Sequence, residues 1–258
     1  MRWRLSLQAI AIAAAFLPSI APAETVEDVT SRGNRTRLLV AVPPSPVAVV
    51  VLFAGGHGAL DIQADGRIAW GRGNFLVRSR NLFQRQGLIT VVIDAPTDKM
   101  EDGLYHFRES EAHAQDIAAV IRHLRARFDL PVWLVGTSRG TESVASAAIW
   151  LKADGPDGIV LTSSMLRHNK NGPDLLRMEL DAITVPTLIA HHVFDGCRVT
   201  PYDKVSSLQQ RLKSAPRVGT LKYEGGSPTG RECDAYHYHG YRGIEAAVVK
   251  DISDWIKG

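Results

Sequence analysis

The sequence predicts an α/β fold, a mostly parallel sheet with helices on both faces, on three observations. Apolar runs of strand length alternate with amphipathic stretches of helical period, the pattern of strands joined by crossover helices. The inner runs are continuously apolar, as strands covered on both faces are. The chain has 258 residues, 45% hydrophobic and 22% charged, which suits one such domain and leaves little room for a second. No internal repeat, low-complexity tract or long linker divides it.

The first segment, "MRWRLSLQAIAIAAAFLPSIAPA", stands apart from the fold. Arg2 and Arg4 precede a mostly apolar stretch, Leu5 to Leu17, too short to span a bilayer comfortably, and Ala21-Pro22-Ala23 fits the small-x-small cleavage rule. Residues 1–23 are therefore expected to be a signal peptide, with export to the periplasm or beyond, and residues 24–258 the folded domain. A buried N-terminal helix is the alternative that the charge order disfavours. No later stretch is apolar and long enough to make a transmembrane helix of the mature chain.

"TRLLVAV" (36–42) and "VAVVVLF" (47–53) flank Pro-Pro-Ser-Pro, which predicts an antiparallel hairpin. "LITVVID" (88–94), "VWLVG" (132–136), "GIVLTS" (158–163), "PTLIAHH" (186–192) and "RVGTLKY" (217–223) follow as strands. Over residues 111–128, Ile117, Val120, Ile121, Leu124 and Phe128 recur at helical spacing, and Ile244, Val248, Ile252 and Trp255 do so near the end. These stripes are core positions, and nothing in them suggests a cofactor.

Thirty basic and twenty-seven acidic residues leave a formal charge of +3. That excess is small, and the basic residues are scattered without interleaved aromatics, which argues against a nucleic-acid partner. In an exported chain the two cysteines, Cys197 and Cys233, read as a disulfide, because a metal site needs further ligands at fixed spacing. Two separate buried thiols are the other reading.

The chemistry centres on "VWLVGTSRGTESVA" (132–145). Ser138 sits between Gly136 and Gly140 where an apolar run gives way to a helix. A nucleophile elbow holds its serine in a strained backbone geometry, and side chains two residues to either side would collide. The helix that follows turns its N-terminus toward developing negative charge. As a plain capped turn, Gly-x-Ser-x-Gly arises by chance; the strand–turn–helix context is what raises it.

A serine hydroxyl needs a base to remove its proton, and the base needs an acid to fix its tautomer. With a nucleophile elbow, the chain order is serine, acid, histidine. "TLIAHHVFDGC" supplies Asp195 after an apolar strand and before a turn at Gly196. Asp203 is a weaker alternative, lying in or near the next helix. "CDAYHYHGYRGIE" offers His237 and His239. His239 is preferred because Gly240 gives a compact turn into a helix expected to begin near Tyr241, and His237 stays open as the alternative base.

The glycine-rich "VLFAGGHGAL" follows the strand that supplies half of an oxyanion hole in this topology. Gly56 is assigned one amide donor, with His57 as its alternative and a possible substrate contact, and Arg139, the residue after the nucleophile, the other. As a plain strand-to-helix turn, any glycine-rich loop would serve.

Along nearly its whole mature length the chain resembles the α/β-hydrolase superfamily, through "FAGGHG", "GTSRG", "HHVFDGC" and "YHYHGYRGIE" in that order. The resemblance implies an eight-stranded, mostly parallel sheet with an antiparallel second strand. It also implies a Ser138–His239–Asp195 triad and hydrolysis of an ester or related acyl bond. The chain departs from the superfamily's common His-Gly by having Ala-Gly-Gly in the oxyanion loop. It has only "MLRHNKNGPDLLRMELDAIT" between the sixth and seventh strands, where a lid is usually inserted, so the cap is minimal. A Cys197–Cys233 bridge would join the acid loop to the histidine loop.

The expected function is that of a carboxylesterase acting on a small or medium acyl ester, with no metal or organic cofactor required. Because the base must be neutral, activity is expected to fall as pH drops through the histidine's titration. Acyl transfer, thioester cleavage and peptide cleavage are rivals on the same residues. A non-catalytic binding protein is the rival from another class. Arg139, His57, Trp70, Arg72, Arg78 and Tyr105 are candidates to line the cleft.

Overall fold

The computed structural model describes residues 23–258, so all but the last residue of the expected signal peptide lies outside the described residues. Its eight strands are β1 (Thr25–Ser31), β2 (Asn34–Ala41), β3 (Ala48–Phe53), β4 (Leu88–Pro96), β5 (Val132–Thr137), β6 (Gly158–Thr162), β7 (Thr187–His192) and β8 (Val218–Tyr223). They form one sheet in the order β1-β2-β4-β3-β5-β6-β7-β8. β1 and β2 run antiparallel, β2 runs antiparallel to β4, and every other pair is parallel.

Alternate residues of the central strands enter two separate cores. Val49, Val51 and Phe53 of β3 pack with α2 (Glu111–Phe128), α3 (Gly140–Leu151) and α4 (Val205–Arg211). Val50 and Leu52 pack on the opposite face with α1 (Phe75–Arg85) and α5 (Glu245–Lys257). β3 to β7 are buried at every position, the physical reason their sequences carry no polar alternation. Each fully buried Val or Leu among them contributes about 1.5–3 kcal/mol of transfer free energy.

The predicted hairpin of 36–42 with 47–53 does not form. β4 lies between β2 and β3, and the Pro-rich segment is a crossover that carries the chain past it. The real hairpin is β1–β2, closed by Arg32 and Gly33, both at positive φ (51° and 75°), the two-residue turn that matches strand twist. β1 has only Val29 buried, which is why no apolar run announces it. The last helix begins at Glu245, not near Tyr241. Tyr241 instead takes a left-handed conformation, φ 59°, and is fully buried.

The topology places the site. β3 leads to α1 on one face and β5 to α3 on the other, so their carboxyl ends open a crevice at a switch in strand order. Between β6 and β7, short 3-10 turns at Leu175–Arg177 and Leu180–Ala182 fold Leu175, Leu180 and Ile183 into the core, so this segment makes no lid. Among the described residues no helix is long and apolar enough to cross a membrane.

Candidate active site

Ser138 follows β5 with φ 53°, in the left-handed region that β-carbon-bearing residues rarely adopt. The two flanking glycines are required sterically. A β-carbon at Gly136 would meet the Gly140 carbonyl carbon at 2.6 Å, and one at Gly140 would strike the Phe53 carbonyl of β3. Thr141 ties the turn down, its amide and hydroxyl both donating to the Ser138 carbonyl at 3.0 and 2.6 Å.

The loops after β7 and β8 bring Asp195 and His239 together. His239 Nδ1 donates to Asp195 Oδ2 at 2.9 Å, and both residues are buried. That bond leaves Nε2 as the basic nitrogen. The second sequence candidate, His237, is excluded from this pairing and rests edge-on against Tyr238. Asp203 lies in a 3-10 turn, Tyr202–Lys204, away from the pair.

Asp195 is well supported: Thr200 Oγ1 donates to Oδ2 at 2.9 Å and the Cys197 amide to Oδ1 at 3.0 Å. Burial works against its charge, but His239 and His191 beside it outweigh burial and hold the carboxyl below the usual carboxylate range. The His239 carbonyl accepts from Ser163 Oγ at 2.8 Å, and the Tyr241 hydroxyl donates to the Ala190 carbonyl at 2.7 Å. Thr200, His191, Ser163 and Tyr241 were not singled out from the sequence, and no local spacing marks them.

Ser138 Oγ lies 3.9 Å from Met165 Sδ and makes no hydrogen bond to His239 among the described residues. Both side chains nevertheless line one cleft of about 350 Å³, and hydrogen bonds of this kind commonly tighten only when substrate binds. Gly55 runs against the serine, since a β-carbon there would lie 2.9 Å from Ser138 Cβ. The amide immediately following is that of Gly56. Neither the Gly56 nor the Arg139 amide makes a hydrogen bond among the described residues, so both are available to an anion.

His57 is exposed at the rim, its Nδ1 accepting from the Ala59 amide at 3.1 Å. It also borders a second cleft of about 680 Å³ that Trp70 and Tyr105 line. Two other cleft candidates do not reach either space. Arg78 is held by Glu245 and the Gly240 carbonyl, and Arg72 lines neither cleft. The Arg139 side chain turns to Glu142, Asn169 and the face of Tyr105.

The structure joins Cys197 to Cys233, with Cα atoms 4.6 Å apart across 36 residues of sequence, and so links the Asp195 loop to the His239 loop. Replacing both cysteines by serine is expected to cost about 3–4 kcal/mol of stability on the chain-entropy estimate, read as a lowered denaturation midpoint. An unchanged midpoint under non-reducing conditions would contradict that contribution.

Behind the glycine-rich loop lies a buried polar group of Arg108, His113, Glu142 and Ser143. Burial lowers Arg108 to about 10, pushes His113 down to about 3 and raises Glu142 to about 7. The stability consequences have opposite signs. For His113 the unfolded chain takes up the proton first, so its contribution is whole above pH 6.5 and is lost as pH falls toward 3. For Glu142 the folded chain takes it up first, so its contribution is whole below pH 4.5 and is lost as pH rises through 7. Between pH 4.5 and 6.5 the two oppose each other. Relative to wild type, His113→Gln is expected to gain stability and Glu142→Gln to lose it as pH is lowered through that window, each by about 1 kcal/mol per pH unit. Urea midpoints at the two pH values read this; parallel pH profiles would refute it.

No family model matches the sequence, and no curated protein matches it. Solved structures do resemble it in fold. A dienelactone hydrolase from Anabaena variabilis is 16% identical, with a TM-score of 0.65 over 92% of this chain and 98% of that one. The Pyrococcus furiosus esterase Pf2001 is 11% identical, with a TM-score of 0.63 over 97% and 98%. A Pyrococcus horikoshii acylaminoacyl peptidase is 12% identical, with a TM-score of 0.64 over 93% of this chain and 42% of that one. The chain has the fold that these proteins share.

Proposed function

We propose that this chain, which has the α/β-hydrolase fold, is a serine hydrolase and specifically a carboxylesterase for small or medium acyl esters. The observation that carries the reading is the buried Asp195–His239 pair, bonded at 2.9 Å and lining the same cleft as a serine held at φ 53°. In this reading Ser138 Oγ attacks the ester carbonyl while His239 Nε2 takes its proton, and Asp195 stabilises the imidazolium. The amides of Gly56 and Arg139 hold the tetrahedral oxyanion. His239 then protonates the leaving alcohol and activates water for release of the acyl group.

The cleft volume of about 350 Å³ lies at the lower end of the range for small-molecule sites, which favours short acyl groups. Proteins of the same fold include a dienelactone hydrolase, an esterase and an acylaminoacyl peptidase, which accords with acyl hydrolysis at family level. Export through residues 1–23 is part of the proposal and accords with the Cys197–Cys233 disulfide. The test is hydrolysis of p-nitrophenyl acetate, butyrate and octanoate by the mature protein. Turnover is expected to favour the two shorter esters, and a maximum at octanoate would contradict the preference for short acyl groups drawn from the cleft volume.

A further inference from the structure

We propose that Arg108 is a positioning residue of the oxyanion hole, one buried cation that fixes the two amide donors relative to each other; this rests on the hydrolase reading above. Arg108 belongs to the segment between β4 and α2, outside the loops that carry Ser138, Asp195 and His239, and is 1% exposed. Its Nη2 donates to the Ala54 carbonyl at 3.0 Å and to the Gly56 carbonyl at 3.4 Å. These are the carbonyls on either side of the Gly55–Gly56 peptide, which carries the first donor. Its Nη1 donates to Ser143 Oγ at 2.7 Å. Ser143 lies in the first turn of α3, the helix whose N-cap residue, Arg139, carries the second donor. A single planar guanidinium thus spans both halves of the hole.

Two further observations fit this role. The loop is shaped around the guanidinium, since a β-carbon at Gly58 would fall 3.1 Å from Arg108 Cζ. Ser143 is itself fixed from behind by His113 Nε2 at 2.9 Å, and burial keeps that ring neutral. The guanidinium makes no hydrogen bond to a carboxylate among the described residues; its donors go to the Ala54 and Gly56 carbonyls and to Ser143 Oγ. Lysine would keep the charge but lack the rigid fork that reaches both loops.

The test compares wild type with Arg108→Met, Arg108→Lys and Ser143→Ala. The readouts are kcat and KM on p-nitrophenyl butyrate, the affinity for an alkyl boronic acid that forms a tetrahedral adduct on serine, and the urea midpoint. Arg108→Met is expected to lower kcat by about 100-fold, comparable to loss of one oxyanion donor. Boronate affinity should fall in parallel while KM hardly moves, and Arg108→Lys should recover only part of the loss. A folded Arg108→Met enzyme with wild-type kcat and boronate affinity overturns the proposal, as does a rise in KM with kcat retained. Should Arg108→Met not fold, Arg108→Lys and Ser143→Ala carry the test: parallel losses of about 10-fold in kcat and boronate affinity, below a full donor loss, support it, and wild-type values overturn it. If wild type itself shows no Ser138-dependent turnover, the hydrolase reading fails first and takes this inference with it.

Discussion

His239→Ala is expected to lower the turnover of a short p-nitrophenyl ester by about 10⁶-fold, the scale seen when a triad base is removed, while His237→Ala keeps most of it. The two histidines are two residues apart in sequence, and the structure treats them differently. His239 Nδ1 meets Asp195 at 2.9 Å and its ring lines the cleft. His237 packs against Tyr238, and its main-chain carbonyl accepts from the Gly240 amide at 3.0 Å in the turn that seats His239. Initial rates for the two variants decide the matter, with the urea midpoint of each confirming that it is folded. Equal losses from both, or the greater loss from His237→Ala, would reverse the assignment of the base.

Asp195→Asn is expected to lower kcat by about 10⁴-fold with little change in fold. In the proposed mechanism the carboxylate accepts the Nδ1 proton and leaves Nε2 free to take the proton of Ser138. An amide can donate to Nδ1 instead, which moves the ring proton to Nε2 and disables the base. Asp195 also accepts from Thr200 Oγ1 and the Cys197 amide. With the amide nitrogen at the Oδ2 position the carbonyl keeps the Cys197 amide at the Oδ1 position, and the Thr200 hydroxyl can turn from donor to acceptor, so the loop should hold its shape. The pH–rate profile and kcat together read this effect. A loss confined to KM would show that Asp195 shapes the cleft without controlling the tautomer.

The tight strand-to-helix turn at Ser138 was legible because its constraints are local. Gly136, Ser138 and Gly140 lie within five residues, and the collisions that demand glycine follow from strand–turn–helix geometry alone. Asp195 and His239 were legible by chain order, since each lies on a loop after an identifiable apolar strand. The proposed oxyanion loop was legible as a glycine-rich segment, but only the approach of Gly55 to Ser138 singles out the amide that follows it.

What sequence reading missed depends on contacts between distant segments. Ser163 bonds the His239 carbonyl, the Tyr241 hydroxyl bonds Ala190, and Thr200 lies against the His239 ring, across 76, 51 and 39 residues of sequence. Arg108 reaches residues 52 and 35 positions away. Nothing in "LYHFRES" separates that arginine from a surface one. The strand order failed for a related reason. Both flanks of the Pro-rich segment are apolar, which shows burial, but the insertion of β4 between β2 and β3 is a property of the whole sheet.

The central claim is that Ser138 is an activated nucleophile, and covalent labelling by a fluorophosphonate tests it most directly. The protein should be labelled stoichiometrically, mass spectrometry of the digested adduct should place the label on Ser138, and Ser138→Ala should abolish both labelling and ester turnover. A folded wild-type protein that stays unlabelled, or that carries the label elsewhere while Ser138→Ala still turns over ester, would contradict the account.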